Sequence, residues 1–168
     1  MFNIVLYEPE IAGNTGNVGR TCVALGSKLW LVRPLGFQVE DRHLRRAGMD
    51  YWTHLDWEVV ENWEELLRRL DALARLRQEP RPPAILGGCR PWFFTKTAQR
   101  SYTDASFSEN DVLVFGSESR GLPPSILENH ADRCLRIPIH ENARSLNLSV
   151  AVAVAAYEAR RQCEVRIG

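Results

Sequence analysis

The stretch that decides the fold runs Ile137-Pro138-Ile139-His140-Glu141-Asn142-Ala143-Arg144-Ser145-Leu146-Asn147-Leu148-Ser149, followed by Val150-Ala151-Val152-Ala153-Val154-Ala155-Ala156-Tyr157. A short apolar piece stops at a proline, a polar loop follows, and a helix begins whose first turns are almost wholly small and apolar. Ser145, Asn147 and Ser149 are good N-cap residues, and free backbone N–H groups at a helix start hold anions and polar ligands. First turns built of Val and Ala predict close-packed backbone on every side. A polar loop leading into so buried a helix predicts a ligand site rather than a surface bend.

On either side of this stretch the chain alternates strands and helices. Phe2 to Tyr7, Leu29 to Val32, Trp57 to Val60, Ala84 to Leu86, Val112 to Phe115 and Cys134 to Ile137 read as strands. The continuous apolar runs ended by glycine are those of central parallel strands. Helices are predicted from near Thr15–Asn17 to Leu25, over Asp41–Ala47 and, capped by Asn62, over Trp63–Leu76; Gln78–Pro83 holds three prolines and is loop. This alternation implies an α/β fold, a parallel sheet covered on both faces. At 168 residues the chain reads as a single domain, 1–168, which buries roughly 70% of its unfolded surface.

Composition narrows the class. Charged residues at 25% and apolar residues at 45% are those of an ordered globular chain. No apolar run approaches the ~20 residues of a membrane span, and the start carries no basic-then-apolar signal, so a cytoplasmic protein is expected. Cys22, Cys89, Cys134 and Cys163 form no CxxC pair and read as reduced core residues; with His43, His54, His130 and His140 they lack metal-ligand spacing, so no metal is expected. With 21 basic and 21 acidic residues the net charge is zero, so any RNA surface must be local.

Ligands of open parallel sheets bind beyond the carboxyl ends of the strands. Three such ends are unusual here: Leu86-Gly87-Gly88, Gly116-Ser117-Glu118-Ser119-Arg120-Gly121, and the loop from Ile137 to Asn147. Gly13-Asn14-Thr15-Gly16-Asn17-Val18-Gly19 repeats glycine every third residue, which is neither GxGxxG nor a P-loop. Asn14 and Arg20, six apart, would enter one pocket if a loop joined them.

Together these segments resemble the three motifs of the SPOUT-class RNA ribose 2′-O-methyltransferases. Tyr7-Glu8-Pro9-Glu10-Ile11 with Asn14 to Asn17 and Arg20 resembles the first. Val114 to Pro123 resembles the second, and Ile137 to Ser149 the third. The likeness covers nearly the whole chain, in the family's order. It implies an α/β sheet with a C-terminal deep trefoil knot, S-adenosylmethionine bound in the knot, and a homodimer, with Tyr157 buried at its two-fold interface. It assigns catalysis to Arg20, with Asn14, Glu118, Ser145 and Asn147 in the catalytic set. Cofactor binding falls to backbone groups of Leu86, Gly116 and Ile137, with Ser145, Leu146 and Asn147 at the methionine and reactive end. Glu118 is expected to orient Arg20, and Asn14 to hold it.

The start at the first strand and Leu44-Arg45-Arg46-Ala47-Gly48-Met49-Asp50-Tyr51 are similar to the minimal TrmL-type subgroup, which methylates the wobble nucleotide, cytidine or uridine 34, of certain tRNAs. The resemblance implies that the core itself holds the anticodon stem-loop, with Arg42, Arg45, Arg46 and Arg90 as RNA contacts. Where such enzymes commonly carry Thr-Thr-Lys after the third central strand, this chain has Gly87-Gly88-Cys89-Arg90, so Arg90 offers that lysine's charge without its geometry. A methyltransferase of another tRNA or rRNA ribose, and a knotted RNA-binding protein without activity, are the alternative readings.

Overall fold

Alternate residues along each strand feed two separate cores, which is why the strands read as continuous apolar runs. The computed structural model describes residues 2–38, 51–76 and 90–165. In β1 (Asn3–Tyr7), Ile4 and Leu6 enter one core and Val5 the other; in β2 (Lys28–Val32), Leu29 and Leu31 part from Trp30 and Val32 in the same way. With β3 (Trp57–Val60), β4 (Pro91–Phe94), β5 (Val112–Phe115) and β6 (Cys134–Leu135), the described residues form a six-stranded sheet, β3-β2-β1-β5-β4-β6, in which every pair is parallel.

Two helices share one face of the sheet: α1 (Ala12–Leu25), through Val18 and Cys22, and the C-terminal α4 (Leu148–Val165), through Val152, Ala155, Ala156 and Ala159. The other face is covered by α2 (Trp63–Leu76), through Leu66, Leu70 and Ala74, and by the short α3 (Pro124–Leu127), through Ile126. Cys22, Cys134 and Cys163 are buried, and no disulfide joins them. No helix among the described residues is long and apolar enough to cross a membrane.

Three expectations are corrected. The strand beside β5 is Pro91–Phe94; the predicted Ala84–Leu86 lies outside the described residues, as do the Asp41–Ala47 helix and the Gln78–Pro83 loop. Proline is tolerated at the first residue of a strand, so Pro91 opens β4 rather than excluding it. Second, α1 starts at Ala12, before the predicted Thr15–Asn17, because its cap is a residue remote in sequence. Third, α4 is not buried all round. Its inner side is Val152, Ala155, Ala156 and Ala159, while Val150 is 46% exposed and Tyr157 53% exposed on this chain. The two are seven residues apart and so lie on one stripe of the helix.

The strand order places the site. From β1 the chain moves outward through β2 to β3, and β5, β4 and β6 lie on the opposite side of β1. The carboxyl ends of β1 and β5 therefore flank the point where the order reverses, and that crevice is where such sheets hold ligands.

Candidate functional site

The loop after β5 drops Glu118 onto the start of α1. Its carboxylate accepts hydrogen bonds from the backbone N–H of Glu10 at 2.8 Å and of Ile11 at 3.3 Å, and from Asn14 Nδ2 at 2.9 Å. Ile11, at the N-cap position, offers no side-chain cap. Glu118 supplies it from more than a hundred residues away, and a carboxylate at that position also meets the positive end of the helix dipole. Asn14, 8% exposed, passes the link on: its Oδ1 accepts from Asn147 Nδ2 at 2.9 Å. Asn147 in turn caps α4, accepting from the Ser149 N–H at 2.9 Å and the Ser149 hydroxyl at 2.7 Å. One hydrogen-bonded chain thus joins the loops after β1, β5 and β6.

A second set of bonds clasps the first two loops. Glu10 accepts from the Ser119 N–H at 3.0 Å and the Ser119 hydroxyl at 2.5 Å, and Arg120 pairs with Glu8 at 2.9 Å. The Ser119 hydroxyl bond is the main reason that the Glu10 carboxyl is held below its ordinary range. Glu8 adopts a left-handed backbone (φ 50°), which is uncommon for a side chain of this kind and turns the chain sharply out of β1. Gly116 serves the turn itself: a Cβ there would sit 2.1 Å from the Gly121 carbonyl carbon and 2.2 Å from the Leu122 nitrogen, across the Gly121 N–H···O Ser117 bond of 2.9 Å.

Arg20 stands apart from this network. It is exposed on α1, its guanidinium lies over the ring of Tyr51, 5.1 Å from the centroid, and no carboxylate among the described residues pairs with it. The expectations that Glu118 orients Arg20 and that Asn14 holds it are therefore corrected. A helix, not a loop, joins Asn14 to Arg20, and six residues of helix turn them about 120° apart. Asn14 faces inward to the loops; Arg20 faces out.

The third loop presents Ile137 half-buried and Ser145, Leu146 and Asn147 exposed. The Ala143 N–H reaches the His140 carbonyl at 2.9 Å, but among the described residues the backbone groups of Ile137, Ser145 and Leu146 have no partner. This set of open amides and carbonyls beside apolar side chains suits a ligand with a polar heterocyclic edge and a charged amino-acid end. Leu86, Arg42, Arg45 and Arg46 lie outside the described residues. The strand end expected at Leu86 falls at Phe94, and the residues that follow are Thr95-Lys96-Thr97. A lysine is thus present at this strand end, within Thr-Lys-Thr rather than Thr-Thr-Lys, and Lys96, exposed and without a carboxylate partner among the described residues, is a site residue that the sequence reading does not single out. The aromatic run Trp92-Phe93-Phe94 just before it was the available signal.

Arg90 lies at the opposite edge of the sheet. It pairs with Asp111 at 3.0 Å, and Asp111, 2% exposed, also accepts from Trp92 Nε1 and the Ser108 N–H, each at 2.9 Å. Burial pushes the Asp111 carboxyl up in spite of these donors. Arg90 is a partner of a buried carboxylate at the amino ends of β4 and β5, and its assignment as an RNA contact beside the site is corrected. Among the described residues no group of three His, Cys, Asp or Glu is placed to hold a metal.

Comparison with known proteins adds the following. The SpoU rRNA Methylase family matches residues 1–79 and 86–157. The tRNA (cytidine(34)-2′-O)-methyltransferase of Methylovorus glucosotrophus is 43% identical over 163 residues, 96% of either chain. A solved structure concerning the 2-OH methylation of C/U34 on tRNA superposes with a TM-score of 0.79 at 44% identity, covering 96% of this chain and 95% of that one. An AdoMet-bound rRNA methyltransferase from Sinorhizobium meliloti superposes with a TM-score of 0.78 at 26% identity, over 95% of this chain and 56% of the other.

Proposed function

Because the chain belongs to the SpoU rRNA methylase family, we propose that it transfers a methyl group from S-adenosylmethionine to the ribose 2′-hydroxyl of the wobble nucleotide, cytidine or uridine 34, of tRNA. The observation that carries this reading is the chain of bonds from Glu118 through Asn14 to Asn147. It fixes three strand-end loops against each other at the sheet's reversal point, with the arginine of the same helix left unpaired. The relatives named for cytidine 34 methylation, alike over nearly their full lengths, support the choice of nucleotide.

S-adenosylmethionine, when bound, supplies a methyl group made electrophilic by its sulfonium. The open backbone groups of Ile137 and Leu146, the Ser145 hydroxyl and the loop from Gly116 would hold it. This chain's part is to bring the ribose hydroxyl in line with that methyl and to lower the cost of charge developing on the 2′-oxygen. Arg20 suits the second task. A guanidinium has five donors and no acceptor, so Arg20 acts as a cationic donor to the developing oxyanion or to a neighbouring phosphate. Asn14 and Glu118 fix the helix that carries it, and Asn147 fixes the loop that faces it.

The working unit is a homodimer with its C-terminal segment knotted, found in the cytoplasm. Val150 and Tyr157 on α4 give a second copy an apolar stripe to cover, with Ile11 and Leu146 also exposed. The anticodon stem-loop is held by the core, with Lys96 and the arginines at 42, 45 and 46 as its cations. The experiment is mass spectrometry of tRNA from a deletion strain, with and without the gene restored. Loss and return of the ribose methyl at nucleotide 34 is expected; an unchanged nucleotide 34, or a methyl mapped elsewhere, overturns the assignment.

A further inference from the structure

Arg20 is exposed and has no carboxylate partner among the described residues, yet its guanidinium sits over an aromatic ring whose own position is fixed. The Tyr51 hydroxyl donates to the Gly16 carbonyl at 2.9 Å. That carbonyl lies one helical turn before Arg20 and is the one its backbone N–H reaches within α1. The Tyr51 ring is therefore anchored through its hydroxyl to the turn of helix that carries Arg20, and the guanidinium lies over the ring, 5.1 Å from its centroid. The turn carrying the tyrosine, Tyr51–His54, is itself seated on α1. A Cβ on Gly19 would stand 2.7 Å from the Trp52 ring and 3.1 Å from Leu55, and Trp52 packs on Trp57 at 5.3 Å. The glycine-rich stretch, which matches no phosphate loop, thus has a physical use at Gly19, where the missing side chain clears the face of α1 for this turn.

We propose that Tyr51 is the positioning residue for Arg20, a platform that fixes the guanidinium without neutralising it. This rests on the reading of Arg20 as the group that meets the 2′-oxygen. A carboxylate would hold an arginine by occupying its N–H donors and cancelling its charge. A ring face attracts the cation through its quadrupole and leaves those donors free for an oxyanion or a phosphate. An arginine of this kind otherwise carries much rotamer freedom, and misplacement of a reacting group by about 1 Å costs on the order of a hundredfold in rate. The two groups sense each other in the ionisation of the phenol: burial raises the Tyr51 hydroxyl, and Arg20 draws it back down.

The test is single-turnover methylation of tRNA carrying cytidine 34, with enzyme and S-adenosylmethionine saturating. It uses Tyr51→Leu, Tyr51→Phe, Arg20→Ala and the Arg20→Ala/Tyr51→Leu double variant. Tyr51→Leu is expected to slow the step about tenfold while affinities for tRNA and S-adenosylhomocysteine stay within about twofold. Tyr51→Phe, which keeps the ring, is expected within about threefold of wild type, and the double variant no slower than Arg20→Ala alone. In the unaltered protein the Arg20 Nε–H proton, recognised by its absence in Arg20→Lys, is expected upfield of other arginines through the ring current, a readout that needs no folded Tyr51 variant. An unshifted resonance, an equal loss from Tyr51→Leu with and without Arg20, or a loss confined to tRNA affinity overturns the platform. Full activity in Arg20→Ala overturns the arginine reading itself, and the platform with it; an inactive Arg20→Ala beside an unimpaired Tyr51→Leu overturns the platform alone.

Discussion

Replacing Asn14 by aspartate should turn the bond that ties two loops together into a repulsion. Asn14 donates to Glu118 at 2.9 Å and accepts from Asn147 at 2.9 Å. Asn14→Ala removes both bonds, one to a charged acceptor worth about 1.5–3 kcal/mol and one neutral worth about 0.5–1.5 kcal/mol. Glu118 keeps its two backbone donors, so the loss should fall near 2 kcal/mol. Asn14→Asp keeps the acceptor for Asn147 but sets one carboxylate against another. Two unit charges about 4 Å apart repel by about 4 kcal/mol at an effective dielectric of 20 and by about 1 kcal/mol in water. With Glu118 half-buried, the added cost should be about 2 kcal/mol, making Asn14→Asp the less stable variant at neutral pH. The sign with pH follows from the pair. Each carboxyl would be raised by its neighbour in the folded state, so the penalty is present above that raised value and disappears as acid protonates one of the two. Urea unfolding of wild type, Asn14→Ala and Asn14→Asp at pH 7.5 and pH 5 measures this. If Asn14→Asp matches Asn14→Ala at neutral pH, or if their difference does not shrink on acidification, the contact is not what holds the loops.

Gly116→Ala should lower the melting temperature and weaken S-adenosylhomocysteine binding together, since its Cβ would strike the Gly121–Leu122 backbone; calorimetric titration showing wild-type affinity would count against that geometry. Arg90→Ala should cost about 1–2 kcal/mol of stability at neutral pH, less as acid protonates the buried Asp111, and should leave tRNA affinity unchanged in filter binding. Glu10→Gln should lower thermal stability only above the carboxylate range. A carboxyl held low in the folded state contributes above its unfolded value and loses that contribution as pH falls through the folded one, so melting curves of the two proteins should converge in acid.

What the sequence disclosed follows the range of the forces at each position. The helix from Trp63 to Leu76 was legible because its signals are local: Asn62 Oδ1 accepts from the Glu65 N–H at 2.9 Å and Glu65 reaches back to the Glu61 N–H at 3.0 Å. β1, β2, β3 and β5 were legible from apolar runs between turn residues. β4 was not, because Arg90-Pro91 reads as a break and Ala84-Ile85-Leu86-Gly87-Gly88 drew the strand upstream. The start of α1 was misplaced for the same kind of reason, its cap being Glu118 on another strand. The three motifs showed which residues meet but not how. That Asn14 and Glu118 belong together while Arg20 belongs with Tyr51 depends on the rotation of a helix whose expected start, three to five residues late or about one turn, left Asn14 outside it.

The spacing of Asn14 and Arg20 then acquires a physical sense. Six residues on a helix separate two side chains by about 9 Å along the axis and about 120° around it. A residue tied to both neighbouring loops cannot share its face with a cation meant for substrate, because Glu118 would pair with that cation and neutralise it. Turning Arg20 away from Glu118 keeps its charge free, and the cost of leaving a long side chain loose is offset by the ring of Tyr51. Anchor and reacting group are thus carried by one rigid element but held by different partners. Changes at Asn14 should therefore register in stability before rate, and changes at Tyr51 in rate before stability. A chain in which the anchor and the arginine lay on the same face would lose that separation, and every change at one would be read at the other.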